Sequence, residues 1–424
     1  MRPNVTPDTD LARRLFAALR AATADGEGVT RDAYGAGERA AHAIVRSAAL
    51  TLGLETATDA AGNLLMTLPG EDRAAPVLVI GSHLDSVRNG GNFDGAAGVL
   101  AGLATLAGMR AAGLRPGRDV TVLAARAEES GAWFPTGFPG SRAALGRLSP
   151  AALAARRLDT GRTLAAHMAE EGFDPEAVRT GACLLPPARV GAYLELHIEQ
   201  GPVLDAAGIP VGIVTAIPGS RRLRDARVTG EYNHSGATPR RFRRDAAIAL
   251  AELAFRLDEA WAEMEATGHA LVCTFCVLAT TADAGFTKIP GEARFQLDVR
   301  SVTTASIDRL YATLDRLVAE IAARRGVRFD LGTPIGSAPA PMDGGVQAAL
   351  ARAADALGVK WRTMPSGGGH DAVSFAEAGV PSGMLFVRNQ NGSHNPQEAM
   401  RDEDFAAAAT VVTQWAVAQS GIGD

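Results

Sequence analysis

The strongest constraint on the fold is an alternation of helical and strand patterns between residues 30 and 215. Helical patterns such as ERAAHAIVRSAALTLGL and GVLAGLATLAGMRAAGL alternate with short apolar runs such as APVLVIGSH, RDVTVLAARAEE and GAYLELHIEQ. Strands that are separated by helices in this way form a parallel sheet with helices on its faces. We therefore predict an α/β domain, whose ligands would bind beyond the carboxyl ends of the strands.

The pattern changes between residues 216 and 330. The segments RRLRDARVTGEY, HALVCTFCVLAT and ARFQLDVRSV have the alternation of antiparallel strands, and two long helical patterns lie among them, near 243–265 and 304–325. After residue 330 the helix and strand alternation returns, and a chain of 424 residues exceeds what one core usually serves. We predict that a small α+β domain, 216–330, is inserted into a larger α/β domain formed by 1–215 and 331–424.

Charge and composition narrow the possible partners and locations. The net charge is −5 and no basic stretch lacks acidic neighbours, which argues against a nucleic-acid partner. The first 28 residues contain only short apolar groups broken by arginines, so we expect neither a secretory signal nor a membrane span. Three cysteines cannot form a disulfide framework, which favours a reducing, cytoplasmic location. Cys273 and Cys276 have C-x-x-C spacing, but on a strand their side chains would lie on opposite faces.

Five polar clusters lie at or after predicted strands: GSHLDSVRNGGNFDG, AEESGAWF, ELHIEQGP, SGGGHDA and NGSHNPQE. Five of the eight histidines stand in such Gly-, Ser- or acid-rich segments, namely His83, His197, His234, His370 and His394. Each cluster alone is better explained as a turn or as local hydrogen bonding. Their joint occurrence at successive strand ends instead predicts a shared site.

The residue types in these clusters suit a pair of divalent metal ions. Such a site needs neutral imidazoles, carboxylates and one carboxylate that bridges ions roughly 3.5 to 4 Å apart. A water molecule between two such ions loses a proton near neutral pH, and hydrolysis also needs a group that carries this proton to the leaving nitrogen. One of the two neighbouring acids of AEES can bind metal while the other serves as the base, because successive side chains of an extended segment point to opposite sides. The required set is supplied by His83, Asp94, Glu129, His197 and His394.

These clusters also carry a resemblance to a known family. Together with GVTRDAYGAGERAA, GNLL, GSRA, TGEYNHSGATP and IPGEARFQLDVR, they follow one another in an order that covers nearly the whole chain. In this the chain resembles the amidase/hydantoinase-carbamoylase group of dinuclear zinc-peptidase-like hydrolases, which contains N-carbamoyl-L-amino acid hydrolases, allantoate amidohydrolases and β-ureidopropionase. The segment LHIEQGP is specific to this group. The resemblance implies a zinc-exopeptidase-like catalytic domain with a mostly parallel sheet, and an inserted domain that serves as a lid and forms a homodimer.

The resemblance also implies a role for each matching residue of the catalytic domain. One metal would be held by His83 and His197, the other by Glu129 and His394, and Asp94 would bridge the two. Glu128 would be the catalytic base, and Asp85 would orient the His83 imidazole without binding metal itself. Zinc is the expected ion, although manganese, cobalt or nickel suit the same ligands.

Other matching residues would contact the substrate. His234 would polarise the scissile carbonyl, and Arg300 would bind a substrate carboxylate. Where the family usually has Asn in NVIPG, this chain has Thr287 in TKIPG, which leaves the identity of the substrate open. The implied substrate-binding residues are Gln200, Thr287, Arg300, Gly368 and Gly369, the two glycines because they allow a close approach of the backbone.

Three hypotheses about activity follow. The leading one is a metal-dependent amidohydrolase that cleaves a ureido or related linear C–N bond in a small substrate with a carboxylate. An aminoacylase or dipeptidase would use the same metal site and differ in its pocket. Outside hydrolases, GNFDGAAGVLAG could be a phosphate-binding loop, but it lacks G-x-G-x-x-G spacing and Asp94 would repel phosphate.

Overall fold

The computed structural model describes residues 5–129 and 131–421. Its α-helices in chain order are α1 (Thr9–Thr23), α2 (Ala36–Thr51), α3 (Ala96–Ala111), α4 (Pro139–Ala144), α5 (Pro150–Leu153), α6 (Leu164–Glu170), α7 (Pro175–Arg179), α8 (Val203–Ala207), α9 (Ala246–Ala266), α10 (Thr304–Arg325), α11 (Gly344–Ala356), α12 (Ala372–Glu377) and α13 (Asp402–Gln419).

Its strands in chain order are β1 (Ala24–Asp25), β2 (Gly28–Val29), β3 (Glu55–Thr58), β4 (Leu64–Leu68), β5 (Val77–His83), β6 (Val120–Ala125), β7 (Val190–Ile198), β8 (Val211–Val214), β9 (Ala216–Ile217), β10 (Gly219–Thr229), β11 (Asn233–His234), β12 (Leu271–Thr280), β13 (Lys288–Ile289), β14 (Glu292–Ser301), β15 (Arg328–Asp330), β16 (Ile335–Ser337), β17 (Ala340–Pro341), β18 (Trp361–Met364) and β19 (Ser382–Val387). No helix in the described ranges is both long and apolar enough to cross a membrane.

The chain divides into two compact units. Unit 1 consists of Met1–Thr215 and Pro341–Asp424, and unit 2 consists of Ala216–Ala340. Unit 2 therefore extends ten residues beyond the predicted boundary at residue 330. The physical reason is β16, which pairs antiparallel with β10 and so adds residues 335–337 to the sheet of unit 2.

The sheet of unit 1 has eight strands in the order β18-β8-β19-β7-β5-β6-β4-β3. Its four central strands, β19, β7, β5 and β6, are parallel to their neighbours within this group. The predicted parallel sheet is thus confirmed at the centre, whereas β8 runs antiparallel to β19, and β4 runs antiparallel to both β6 and β3. Because parallel strands end at the same edge, the loops that follow the four central strands meet there.

Helix α3 forms the centre of the unit 1 core. Its residues from Ala96 to Met109 are all buried, and it contacts α1, α13, β5 and β7. Gly98 allows the close approach of α3 to the sheet, since a Cβ at this position would lie 2.2 Å from the carbonyl oxygen of Leu196 on β7. Just before α3, Gly95 has a φ of +64° and leaves room for the His83 ring, which a Cβ would approach to 2.4 Å. The core thus positions the loop that links β5 to α3.

Unit 2 is an antiparallel sheet with two helices packed against it. Its strand order is β12-β14-β10-β15, with β16 also paired to β10, and α9 and α10 pack against the buried side chains of these strands. Strand β14 alternates buried and more exposed side chains, as its sequence pattern predicts. The two predicted long helices are confirmed as α9 and α10. On β12, Cys273 is buried and Cys276 is exposed, in agreement with their placement on opposite faces.

The buried His42 of α2 gives a prediction about pH. Burial lowers the pKa of His42 well below its ordinary value of 6.5, and the charge of Arg126 lowers it further. Below about pH 6.5 the His42 ring binds a proton in the unfolded chain but not in the folded chain. As the pH decreases in this range, this difference lowers the free energy of unfolding by up to about 1.4 kcal/mol per pH unit. We expect His42→Leu to reduce this slope between about pH 6.5 and 5. Urea denaturation at several pH values measures it, and a slope equal to that of the wild type would contradict the prediction.

Candidate metal centre

The candidate site lies where the four central strands of unit 1 end. The register pairs His83 with Ala125 and His197 with Phe386, so the ends of β5 and β6, and those of β7 and β19, are level. These strand ends and the loops after them contain the five residues predicted as metal ligands. The structure brings all five together at this edge of the sheet.

The first group of donor atoms consists of His83, His197 and Asp94, which are all buried. The two Nε2 atoms lie 3.4 Å apart. Asp94 Oδ1 lies 3.1 Å from Nε2 of His197 and 3.7 Å from Nε2 of His83. Each imidazole has its Nδ1 beside a backbone carbonyl oxygen, at 3.1 Å for His83 and 2.9 Å for His197. With Nδ1–H donating to these oxygens, both Nε2 lone pairs face Asp94 Oδ1.

This arrangement fits a divalent metal ion. Ligand atoms about 2.0 to 2.1 Å from a tetrahedral ion lie about 3.4 Å from one another, which matches the separations in the first group. Asp94 Oδ1 is buried and accepts no hydrogen bond from the described residues. Two imidazole lone pairs and a carboxylate oxygen repel each other at these distances in a buried site, and a cation between them removes the repulsion.

The second group consists of Asp94, Glu129 and His394. Nε2 of His394 lies 3.3 Å from Asp94 Oδ2 and 3.4 Å from Glu129 Oε1. His394 is half-exposed and has a φ of +59°, which is uncommon for a residue other than glycine. Asp94 belongs to both groups and offers one carboxylate oxygen to each.

Glu128 lies beside the first group but belongs to neither. Its Oε2 is 3.7 Å from His83 Nε2, and the side chain is largely buried. Burial raises the pKa of Glu128 well above its ordinary value of 4.5, and the charges of Glu129 and Asp371 raise it further, against the opposing effect of His83. A carboxyl group with a raised pKa is suited to take up and release a proton. Glu128 and Glu129 are therefore in different positions, as required if one transfers protons and the other binds metal.

Asp85 holds both acids through their backbone. Its Oδ1 accepts the N–H of Glu128 and its Oδ2 accepts the N–H of Glu129, each at 3.0 Å. Asp85 Oδ1 also lies 3.3 Å from Nδ1 of His83. The contact with the imidazole was predicted from the sequence. The contacts with Glu128 and Glu129 were not, because nothing in the spacing relates residue 85 to the end of another strand.

Three polar residues surround the carboxyl group and the backbone of Asp94. Gln200 Nε2 donates to Asp94 Oδ2 at 2.9 Å and lies 3.4 Å from His394 Nε2. Ser393 donates to the same oxygen at 2.6 Å, and Glu398 accepts the backbone N–H of Asp94 at 3.2 Å. Gln200 was predicted to contact substrate, and the structure places its amide against Asp94. Ser393 and Glu398 were not singled out in the sequence, although both lie in the polar cluster NGSHNPQE.

The glycine-rich loop of residues 366–370 lies next to these groups. A Cβ at Gly368 would be 3.2 Å from Gln200 Oε1, and one at Gly369 would be 2.8 Å from the Phe138 ring. The His370 ring packs 4.4 Å from the ring of His197. Burial lowers the pKa of His370 well below its ordinary value, which favours the neutral form of this ring beside His197. His370 stood out in the sequence, but no role was assigned to it there.

The remaining predicted residues belong to unit 2. Strand β11 pairs with β13, and Ser235 N–H donates to the carbonyl oxygen of Thr287 at 2.9 Å, so His234 and Thr287 lie close together on neighbouring segments. Nδ1 of His234 accepts the N–H groups of Gly236 and Ala237 at 3.1 and 3.0 Å. The ring proton must then be on Nε2, which makes this nitrogen a hydrogen-bond donor.

Arg300 lies on β14 of unit 2. Its Nε and Nη2 both donate to Oδ2 of Asp298, at 3.0 and 2.9 Å. The other carboxylate oxygen of Asp298, Oδ1, lies 3.1 Å from Nε of Arg222 on β10. The arginine predicted to bind a carboxylate is thus held by an acidic neighbour on its own strand.

Comparison with known proteins gives a consistent result. The model of peptidase family M20/M25/M40 matches residues 79–418. The chain is 40% identical to an N-carbamoyl-L-amino acid amidohydrolase of Geobacillus stearothermophilus, covering 92% of this chain and 94% of the relative. It is 34% identical to an allantoate amidohydrolase of Escherichia coli strain K12, covering 84% of each chain.

A solved structure is similar over the full length. The crystal structure of a hydantoinase/carbamoylase family amidase from Burkholderia ambifaria aligns with a TM-score of 0.88 and 32% identity, covering 100% of both chains. Enzymes of the M20 family are metal-dependent, in keeping with the two donor groups described above. The chain therefore belongs to peptidase family M20/M25/M40 and, within it, to the hydantoinase/carbamoylase amidases, which confirms the family inferred from its motifs.

Proposed function

We propose that this protein is a metal-dependent amidohydrolase that cleaves the C–N bond of a ureido (N-carbamoyl) group or related linear amide in a small substrate with a carboxylate. The observation that carries the proposal is the pair of donor groups that share Asp94, with Glu128 beside them and in neither group. The names of the two relatives also favour it over an aminoacylase or dipeptidase, since one is a carbamoyl and the other an allantoate amidohydrolase.

The donor groups suggest how two metal ions would be held. His83 and His197 would hold one ion, Glu129 and His394 the other, and Asp94 would contribute one oxygen to each. When bound, the ions supply Lewis-acid charge that polarises the scissile carbonyl and makes water more acidic. Zinc is the expected ion, and manganese, cobalt or nickel suit the same ligands.

Glu128 is assigned to proton transfer. It would take the proton of the attacking water and deliver it to the leaving nitrogen, two steps that need a carboxyl group able to gain and lose a proton near neutral pH. Its raised pKa supports this role. Asp85 would hold Glu128 in place through the backbone N–H.

Unit 2 is proposed to act as a lid. His234 would donate a hydrogen bond from Nε2 to the carbonyl oxygen as negative charge develops on it, a role supported by the two N–H groups that occupy its Nδ1. Arg300 would bind the substrate carboxylate, and Thr287, close to His234, would also contact the substrate. Since Thr287 replaces an amide with a shorter hydroxyl group, the accepted ureido acids are expected to differ from, or extend beyond, the standard N-carbamoyl-L-amino acids. The proposed contacts from unit 1 are Gln200, Gly368 and Gly369.

We also propose a homodimer formed through unit 2. Strand β12 lies at the edge of its sheet and exposes apolar side chains, among them Val277 and Leu278. An exposed apolar edge strand is a template for pairing with another chain. A cytoplasmic location stays a prediction of the cysteine usage.

Glu128→Gln tests the assignment of the two acids. Because Glu128 would transfer protons and bind no metal, we expect metal content near that of the wild type and a kcat at least about 100-fold lower. Elemental analysis and steady-state kinetics measure both. Loss of metal together with activity would reverse the roles of Glu128 and Glu129.

Asp94→Asn tests the bridging role of Asp94 and is compared with Glu128→Gln, since both replace a carboxylate by an amide. Removing the shared negative charge leaves two cations facing each other, so at least one metal ion per chain should be lost. Full retention of both ions in elemental analysis would rule out the bridging role.

Arg300→Ala tests the carboxylate contact. Loss of a charge-assisted contact from a closed site costs about 2 to 5 kcal/mol, so kcat/KM for acids should fall roughly 30- to 3,000-fold and change little for the matching carboxamides. N-carbamoyl, N-acetyl and allantoate-type acids and their amides would be scored for ammonia and free amine.

Arg294→Ala is the control, since Arg294 lies on the same strand and pairs with Glu292. Equal turnover of acids and amides by the wild type would refute the carboxylate contact. Amine release from N-acetyl substrates alone would assign the protein to the aminoacylases.

The dimer is tested by sedimentation. We expect a dimer for the wild type and a larger monomer fraction for Leu278→Lys, since a charge on the edge strand opposes pairing. Leu158→Lys, at an exposed leucine of unit 1, should leave the dimer intact. A monomeric wild type, or equal effects of both substitutions, would contradict the proposal.

A further inference from the structure

Four consecutive backbone N–H groups follow the end of β6 at Ala125, and each donates to a buried side-chain oxygen. The N–H of Arg126 donates to Asn63 Oδ1, and that of Ala127 donates to Glu38 Oε1, both at 2.9 Å. The next two, of Glu128 and Glu129, donate to the two oxygens of Asp85. A segment that leaves a sheet must satisfy its N–H groups elsewhere, and here three side chains from other parts of the chain do so.

Ala127 has the least favourable backbone conformation of this segment. Its φ is +58°, in the left-handed region that residues with a Cβ rarely adopt. Such a conformation persists only where surrounding contacts enforce it. The contact made by the N–H of Ala127 itself is the hydrogen bond to Glu38.

Glu38 is fixed for this contact by a buried ion pair. Its Oε2 lies 2.9 Å from Nη1 of Arg126, and the two side chains are 0% and 5% exposed. Arg126 Nε also donates to the carbonyl oxygen of Gly62 at 3.0 Å, and Tyr34 N–H donates to Glu38 Oε2 at 2.6 Å. Glu38 lies in the first turn of α2, so its carboxylate joins the start of that helix to the end of β6.

We infer that Glu38 is a positioning residue for the hydrolytic reaction, which fixes the turn at Ala127 and thereby the directions of Glu128 and Glu129. Glu38 acts through the backbone and belongs to neither donor group. The inference rests on the proposed function, which assigns proton transfer to Glu128 and metal binding to Glu129. Catalytic groups must be held within about 0.5 Å and 10–20° of their working geometry, so a relaxed turn at Ala127 would affect both acids.

Two substitutions separate this role from a contribution to stability alone. Glu38→Gln keeps the length of the side chain but loses the charge opposite Arg126. Its one oxygen would accept the N–H of Tyr34 and Nη1 of Arg126, so its NH2 group would face the Ala127 N–H, which then loses its acceptor. Glu38→Asp keeps the charge, but its side chain is one methylene group shorter and does not reach the Ala127 N–H from the same backbone position. The first variant should lose more thermal stability, because it leaves Arg126 buried without its counter-charge.

The expected kcat values do not follow the thermal stability. Both variants remove the acceptor of the Ala127 N–H, so each should lower kcat at least about 10-fold with little change in KM at a temperature where it is folded. After dialysis, zinc per chain should also be lower for both variants than for the wild type, because Glu129 is misplaced. Thermal denaturation, kinetics on a ureido acid and elemental analysis provide the three measurements.

Glu252→Gln is the control variant, since Glu252 is a partly buried carboxylate of unit 2 that pairs with Arg325. It should lower the melting temperature and leave zinc content unchanged. The inference is overturned if Glu38→Asp, which keeps the charge opposite Arg126, also keeps the kcat and the zinc content of the wild type, or if Glu252→Gln lowers them as much as the Glu38 variants do. A wild type that releases no ammonia from any ureido acid would refute the proposed function instead, and the zinc contents would still test the role of Glu38.

Discussion

The candidate metal centre depends on the close approach of imidazole nitrogens and carboxylate oxygens around Asp94. One oxygen of this carboxylate faces the imidazoles of His83 and His197, and the other faces His394. Burial removes the water that would screen these atoms from one another. The fully buried Arg31 gives no direct relief, because its guanidinium donates to backbone carbonyl oxygens and to the Asn92 side chain instead. Divalent cations are the groups whose charge and ligand preference suit this arrangement.

Three residues that follow strands near the candidate site have a left-handed backbone conformation. Ala127, Gln200 and His394 have φ values of +58°, +64° and +59°, although none is glycine. Strained residues of this kind cluster at functional sites, where surrounding contacts hold them. Ala127 is held by Glu38, and the N–H of Gln200 donates to Asn389 Oδ1 at 3.0 Å. Side chains outside the donor groups thus accept hydrogen bonds from the backbone at two of these three positions.

Much of the fold and of the site was predictable because it depends on local patterns. The alternation of helices and strands predicts the parallel centre of the unit 1 sheet, and the common edge of parallel strands explains why distant clusters such as GSHLD and GSHNP meet. The predicted boundary at residue 330 differs from the end of unit 2 because pairing of β16 with β10 is a contact between distant segments, which a local sequence pattern does not reveal. For the same reason the antiparallel strands at the sides of the sheet were not foreseen.

The sequence by itself determined which residues are available for chemistry, since the imidazoles and carboxylates that follow predicted strands can be identified from the sequence alone. Only the tertiary structure decided which oxygen of Asp94 faces which imidazoles. It also decided that Glu38, Asn63 and Asp85 accept hydrogen bonds from four successive N–H groups. These are matters of distance and direction between residues far apart in the chain, and hydrogen bonds and ion pairs form only when folding brings such groups within about 3 Å of each other.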